Sequence, residues 1–307
     1  MAYLTVFTAT YNRAGKLKRV FESLQRQGFK DFEWLIVDDG STDGTDKLVE
    51  SFIDKADFKI RYYWKENGGV HTARNYSYSL IKTKYTVSMD SDDWFVDDAL
   101  QRIHDIWESI PESEYDRIWQ VSGRCMIMGT NELVGALYPD GINELKGIAQ
   151  NKARHKCLGE KCCCRKTDIL VSHPFPEFSD VKDITGDYIW EQIDEKYDTW
   201  CTNEIFRVYD DDSVDSMGKG KGHPTRYYKT QYYMSVLMVN KLLSHILWDK
   251  RVLIGLVNLP RSAWLSKTPY LKMLNELNSL SKKLLVLVIT PASFVIMKIH
   301  DRGVKCE

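Results

Sequence analysis

The sequence predicts an α/β protein built on a mostly parallel, doubly wound sheet and extended at its C-terminus by helices alone. Three observations predict it. Strand-like and helix-like segments alternate through the first 110 residues, the pattern left by parallel strands joined through crossover helices. The polar clusters of that stretch stand where predicted strands end, which is where such sheets bind ligands. From Tyr227 onward only helical periodicity is visible.

Taken in order, Leu4–Thr8 reads as a short apolar strand followed by turn residues Tyr11–Gly15, and Leu17, Val20, Phe21 and Leu24 recur at helical spacing. Phe32–Val37 is a second strand ending in Asp38-Asp39-Gly40-Ser41. Thr45–Phe52 is helical, with Leu48, Val49 and Phe52 on one face. Ile60–Trp64 is a third strand, and Asn67-Gly68-Gly69 breaks the chain before a helix from about His71 to Ile81. Tyr85–Met89 is a fourth strand, running into Asp90-Ser91-Asp92-Asp93. Past Pro111 the pattern loosens. Strands are expected over Arg117–Met128, Leu133–Tyr138 and Ile205–Tyr209, a further element over Cys162–Leu170, and a helix over Thr185–Tyr197. Gly218–Gly222 reads as a flexible link. Residues 1–110 and 111–217 are thus two halves of one domain, and 218–307 a helical extension.

Composition excludes several classes. Lys and Arg number 42 against 43 Asp and Glu, a net charge of −1, so nothing electrostatic points to nucleic acid. Met1–Phe7 has no basic segment ahead of a long apolar run, so it does not read as a signal peptide. Seven cysteines without secretion suggest reduced thiols. Cys157 and Cys162-Cys163-Cys164 lack a second paired cluster at metal-binding spacing.

The chemistry concentrates at strand ends. Asp90, Asp92 and Asp93 can present carboxylates to one ligand, a donor set suited to Mg²⁺ or Mn²⁺ bridging a diphosphate. A solvated acidic turn is the bland alternative. The apolar run before Asp90 and Trp94-Phe95 after the cluster weigh against it. Asp38 and Asp39 can accept from a base imide and a ribose hydroxyl, while Ser41, Thr42 and Asp43 suit capping of the next helix. Glycines at 68 and 69 let backbone approach a ligand before a helix N-terminus, and Arg74 adds a planar donor fork; a plain glycine turn also fits. Ala9–Gly15 lacks G-x-G-x-x-G, so dinucleotide binding has no support.

In sequence order, T-x-T-Y-N-R, D-F-E-W-L-I-V-D-D-G-S-T-D-G-T, N-G-G-V-H-T-A-R-N and M-D-S-D-D resemble the family 2 glycosyltransferases of the Rossmann-like GT-A fold. The resemblance covers residues 4–110 almost continuously and departs at Ala9, where proline is expected. It implies that Thr10, Tyr11, Arg13, Asp39 and Arg74 line a nucleotide pocket with Asp38 beside them. Asp90 and Asp92 would form a D-x-D motif around Ser91 for ribose and metal, with Asp93 adjacent. The implied activity is metal-dependent, inverting transfer of a single sugar from a nucleotide donor, UDP-sugar foremost, to a hydroxyl of a glycan or lipid-linked acceptor.

The second half is similar to bacterial members through Gly159-Glu160-Lys161-Cys162, Lys166-Thr167-Asp168 and Pro174-Phe175-Pro176. Ile184–Glu191 falls where they carry an acidic base motif. Gly186 replaces the first acid, which leaves Asp187 as the expected base and Glu191 and Asp183 as rivals; Asp187 also suits a plain helix-start acid. Without a Q-x-x-R-W motif, single addition is expected, in building capsule, lipopolysaccharide or exopolysaccharide. A non-catalytic nucleotide-sugar binding protein with a degraded acceptor side is the competing reading.

Two C-terminal features stay open. Tyr227, Tyr228, Tyr232 and Tyr233 suit a helix face packed on a core, or sugar stacking. Leu284–Met297 is 14 uncharged residues, short for a span and interrupted by Pro291, hence a core helix or an interfacial anchor. Lys282, Lys283, Lys298, His300 and Arg302 flank it. Peripheral membrane contact through 264–302 is one expectation, from a cytoplasmic location.

Overall fold

The computed structural model describes residues 1–130, 132–138, 144–145, 159–178, 180–182, 184, 186–210, 224–242 and 250–300. Cys157, Asp183, Gly218–Gly222 and Arg302 lie outside the described residues, as do the side chains of Asp187, Glu191 and Tyr227. The described chain divides into two compact units, 1–177 with 185–213, and 178–184 with 214–307.

The first unit is a mixed α/β layer. Its opening follows the alternation of the sequence: β1 (Leu4–Thr10), α1 (Ala14–Gln25), β2 (Phe32–Asp38), α2 (Thr45–Ile53), β3 (Lys59–Trp64), α3 (Val70–Leu80) and β4 (Tyr85–Ser88). β1 and β2 are buried almost throughout, which explains their unbroken apolar runs. Leu17, Val20, Phe21 and Leu24 of α1 pack with Trp34, Val49 and Phe52 on one side of the sheet. Ala73 of α3 packs with Phe7, Leu35 and Val37 on the other.

Then come β5 (Trp94–Phe95), α4 (Ala99–Ser109), α5 (Glu112–Tyr115), β6 (Ile118–Ile127), β7 (Glu144–Leu145), β8 (Lys161–Lys166), α6 (Thr167–Val171), α7 (Asp187–Asp194) and β9 (Asp198–Tyr209). Strand order is β3-β2-β1-β4-β8-β6-β9-β5, with β7 on β9. β3, β2, β1 and β4 are parallel neighbours, β8 runs antiparallel between β4 and β6, and β9 is parallel to β6. The carboxyl ends of β1, β2, β4, β6 and β9 therefore share one edge with the start of β8. Chain direction switches sides between β1 and β4, the point where doubly wound sheets open a ligand crevice.

Several expected elements differ. Leu133–Tyr138 is not a strand: Leu133 makes one isolated bridge to Met126, and both backbone groups of Tyr138 are taken by the Asn203 amide, at 2.9 and 3.0 Å. Cys162–Leu170 is two elements, because the chain leaves β8 and turns into α6 at Thr167. The 185–197 helix is shorter and β9 longer than expected. α4 was not anticipated. The cysteines alternate inward and outward along β8, and Cys125, Cys162, Cys163, Cys164 and Cys201 are free thiols.

The second unit contains α8 (Pro224–Leu242), α9 (Lys250–Leu265), α10 (Tyr270–Asn275) and α11 (Leu280–His300). Its core joins Tyr232, Val239, Leu256, Leu259, Met273 and Val286. Tyr228 and Tyr232 are buried, and Tyr232 donates to Glu276, so these two tyrosines pack. Pro291 does not interrupt the tail helix as expected. It lies on the exposed side, where the Leu287 carbonyl that loses its partner can turn to water.

Candidate active site

The loops after β1 and β2 are tied to each other. The Asn12 amide donates to Ser41 Oγ, the Thr42 amide to Asn12 Oδ1, and the Ala14 amide to Asp43 Oδ2, all within 2.8–2.9 Å. Asn12 takes the left-handed conformation, φ 51°, which asparagine tolerates better than most residues. Asp38 is held from two sides, accepting from the Ser41 amide at 2.7 Å and the Tyr62 hydroxyl at 2.6 Å. Burial and this carboxylate raise the Tyr62 phenol well above its ordinary range.

Asp39 organises the glycine turn ahead of α3. Its two oxygens accept from Lys65 Nζ (2.7 Å), the Gly68 amide (3.0 Å), the Gly69 amide (2.7 Å) and Asn67 Nδ2 (3.1 Å). Four donors match the acceptor capacity of one carboxylate. Gly69 needs φ 98°, and a Cβ on Gly40 would meet the Asn67 backbone nitrogen at 3.0 Å, so the two glycines permit this close approach. Thr10 is buried at the end of β1, its carbonyl accepting from the Asp39 amide. Tyr11 is about half exposed beside it.

The carboxylates after β4 take three different environments. Asp90 is open, its side chain 53% exposed. Asp92 is 12% exposed and paired with Arg13 at 2.5 Å, an ion pair that joins the ends of β1 and β4. Asp93 is buried, accepts from the Asp210 amide at 2.9 Å and faces Arg207 at 3.3 Å. Burial raises its carboxyl to about 7; Arg207 opposes the rise, and Asp90 nearby adds to it. Ser91 is buried between them. Arg207, from β9, is the residue that the sequence did not flag: it is buried and reaches Asp90 (3.4 Å), Asp93 (3.3 Å) and Glu160 (3.2 Å). Asp210 in turn holds Arg19 at 2.7 Å.

No cluster of three or more metal-ligating side chains occurs among the described residues. The donor set still fits a hard cation shared with a diphosphate, because Mg²⁺ and Mn²⁺ in such sites take one or two carboxylates and complete their shell with phosphate and water. Asp90 and the Asp92 oxygen not held by Arg13 are the carboxylate groups available. Asp93 points into the protein and supports the loop through Arg207.

A second cluster lies across β4, on the α3 side of the sheet. Arg165 of β8 stacks on Trp190 of α7, its guanidinium carbon 4.2 Å from the ring centroid, and on Trp119 at 5.6 Å. Arg74 of α3 lies 5.7 Å from the Phe175 ring, which meets Trp190 edge to face at 5.6 Å. Asn75 fixes Phe175 by a reciprocal pair of bonds to its backbone, at 2.9 and 2.8 Å. Neither arginine has a carboxylate partner among the described residues. Gly186 now has a local reason: a Cβ there would stand 2.3 Å from Trp190 Nε1. The indole that carries Arg165 fills the space a larger residue would need. Asp187 opens α7 directly after this glycine.

The structure thus gathers Thr10, Tyr11, Arg13, Asp38, Asp39, Asp90, Ser91, Asp92 and Asp93 along one edge, with Arg74 on the neighbouring helix face. Residues 5–123 match the family described as Glycosyl transferase family 2. They form a family 2 glycosyltransferase domain. Curated relatives divide by how much they share with it. Glycosyltransferase GlyA of Streptococcus pneumoniae serotype 4 is 32% identical over 101 residues, 33% of this chain but only 14% of its own length. The chain thus spans about a seventh of that relative. The GalNAc(5)-diNAcBac-PP-undecaprenol beta-1,3-glucosyltransferase of Campylobacter jejuni is 24% identical over 247 residues, 79% of this chain and 76% of the relative. Among solved structures, S. aureus TarS 1-349 in complex with UDP-GlcNAc superposes with TM-score 0.63 at 15% identity, covering 98% of this chain and 92% of that one. The glycosyltransferase domain therefore sits in a chain whose fold is shared nearly end to end with TarS.

Proposed function

We propose that the chain transfers a single sugar, with inversion, from a nucleotide donor to a hydroxyl of a glycan or lipid-linked acceptor in bacterial surface-glycan synthesis. One observation carries the reading: the Arg13–Asp92 pair closes the crevice between β1 and β4 beside the open carboxylate of Asp90. Fixed cationic and anionic groups side by side at these strand ends support a nucleoside diphosphate there. Asp90 and Asp92 would hold Mg²⁺ or Mn²⁺, which when bound neutralises charge on the departing diphosphate. Arg13 keeps Asp92 in place, and Arg207 does the same for Asp90 and Asp93. Asp38 and Asp39 shape the base and ribose wall through Tyr62, Lys65 and the Gly68–Gly69 turn, beside Thr10 and Tyr11. Arg74 faces the phosphates or the acceptor.

Asp187, with Glu191 and Asp183 as rivals, would accept the proton of the attacking hydroxyl; general-base help of this kind is worth about 10²–10⁴-fold. UDP-sugar is the proposed donor, supported by the UDP-GlcNAc bound to the TarS neighbour. A lipid-linked acceptor is supported by the undecaprenol-linked substrate in the name of the Campylobacter relative. Such an acceptor would place the protein at the cytoplasmic face of a membrane.

The test is donor turnover across UDP-, GDP- and dTDP-sugars, with and without Mn²⁺, followed by transfer to lipid-extracted acceptors. Turnover of one UDP-sugar that requires the metal is expected. Tight nucleotide-sugar binding with no turnover under any condition would instead identify a binding protein.

A further inference from the structure

The C-terminal unit turns an apolar helix face outward. Val286 and Ser293, seven residues apart on α11, are fully buried and mark its inner side. On the opposite side Leu280, Leu284, Leu287, Val288 and Val295 recur at one-turn spacing, and all are exposed, Val288 by 77%. A surface helix ordinarily carries charge there. A continuous apolar stripe on an exposed face marks an interaction site.

The charges around the stripe say what covers it. No Asp or Glu occurs from Leu277 to His300, while Lys282 and Lys283 stand at one end and Lys298 at the other. A second copy of this helix would set lysines against lysines in either orientation. An anionic lipid surface complements both ends at once. Trp264 packs edge to face on Phe294 at 5.3 Å and is 59% exposed. It borders a cleft of about 400 Å³ lined also by Lys267, Pro269 and Tyr270. Aromatic rings and lysines in this mixture suit the headgroup level of a bilayer.

Length alone would let α11 cross a membrane, since 21 residues span about 30 Å. Its inner face, however, is packed into its own unit through Val286 and Ile289, and Thr290 bonds Tyr270 at 2.7 Å. A crossing helix would have to abandon that core. We propose that the outer face of α11, with Trp264, seats the protein in the plane of an anionic lipid bilayer. This inference is independent of the transferase reading.

The test is co-sedimentation of the full-length protein with vesicles of phosphatidylcholine alone and with phosphatidylglycerol added. Wild type should bind the anionic vesicles at least about tenfold more strongly, a margin two lysines near the surface can supply. The double variant Leu284→Glu, Val288→Glu should lose about tenfold or more in binding to both. Lys283→Glu with Lys298→Glu should lose it on the anionic vesicles alone. Both pairs are at the surface, and unchanged melting and UDP binding would show that they fold. The idea is overturned if wild type ignores anionic vesicles or if the Leu284/Val288 variant binds like wild type. It is equally overturned if that variant splits a dimer on gel filtration while vesicle binding stays put, since the stripe would then join two copies. Donor turnover is read separately, so failure here leaves the transferase reading standing.

Discussion

The carboxyl edge of the sheet and the aromatic cluster across β4 are charged in opposite ways. At the ends of β1, β2 and β4, carboxylates dominate and each is held: Asp92 by Arg13, Asp93 by Arg207 and the Asp210 amide, Asp39 by Lys65 and the Gly68–Gly69 turn. Across β4, Arg74 and Arg165 lie on aromatic rings with no carboxylate among the described residues. The first arrangement fixes anionic oxygens and leaves one carboxylate, Asp90, exposed to solvent while Arg207 reaches it at 3.4 Å. The second fixes planar cations over planar rings. In the proposed function a metal-bound diphosphate goes to the first group and the acceptor to the second, and each can be broken separately.

The largest effect is expected from Asp92→Asn. It removes the partner of Arg13 and an anionic ligand for the proposed metal. Turnover should fall by about 10³-fold or more, in line with the loss of a preorganised electrostatic group, and nucleotide binding should become insensitive to Mn²⁺. Near wild-type turnover would show that the carboxylate side is misassigned.

The acceptor side is broken next by Asp187→Asn. Transfer should fall about 10²–10⁴-fold with nucleotide-sugar affinity unchanged, because a general base acts in the transition state. Glu191→Gln is the comparison. Loss there and none at Asp187 would move the proton acceptor one turn along α7, and activity surviving both would remove the acid from this helix.

How much of this asymmetry the sequence reveals depends on the range of the contacts. β1, β2 and β4 are legible because their burial is local and continuous, and the acids at their ends follow at once. Helix Ala99–Ser109 also carries a signal, with Ala99, Leu100, Ile103 and Trp107 buried at helical spacing, close behind the acidic motif. β5 is only two residues, too short for periodicity. Arg207 left no local trace: its partners are 47 to 117 residues away. Gly186 looked like a lost acid and is also a steric requirement of Trp190, which only the packing of α7 discloses. Asp39 looked free for a ligand and proves to be the organiser of a turn 29 and 30 residues on.

A smaller, purely energetic difference lies in Asp93. Its folded carboxyl titrates near 7, above the ordinary 3.8, chiefly through burial. Between those values the folded chain keeps a proton that the unfolded chain has released, so stability falls as pH rises through that window. The slope is at most about 1.4 kcal/mol per pH unit. Asp93→Asn has no proton to lose. Its melting temperature relative to wild type should therefore climb from pH 4 to pH 7 and level off above. A flat difference would mean that Arg207 keeps Asp93 ionised throughout, and the donor side would then be a closed set of ion pairs.

The smallest expected effect tests the cationic side directly. Arg165 stacks on Trp190 at 4.2 Å, an interaction worth about 0.5–2 kcal/mol. Arg165→Gln should therefore cost about 1 kcal/mol of stability, and Arg165→Lys less, because lysine keeps the charge but not the planar stack. If the cluster only packs α7 onto the sheet, the effect ends there and turnover follows the folded fraction. If its charge meets the acceptor, Arg165→Gln should also raise the acceptor KM by about tenfold, the equivalent of one charge-assisted hydrogen bond. UDP affinity should not move, since Arg165, unlike Arg74, is given no nucleotide contact. Lysine should recover part of the KM without recovering the melting temperature in proportion. A KM that stays at the wild-type value while the melting point falls would reduce the cationic side to packing, and the carboxyl edge and the aromatic cluster would no longer divide the substrate between them.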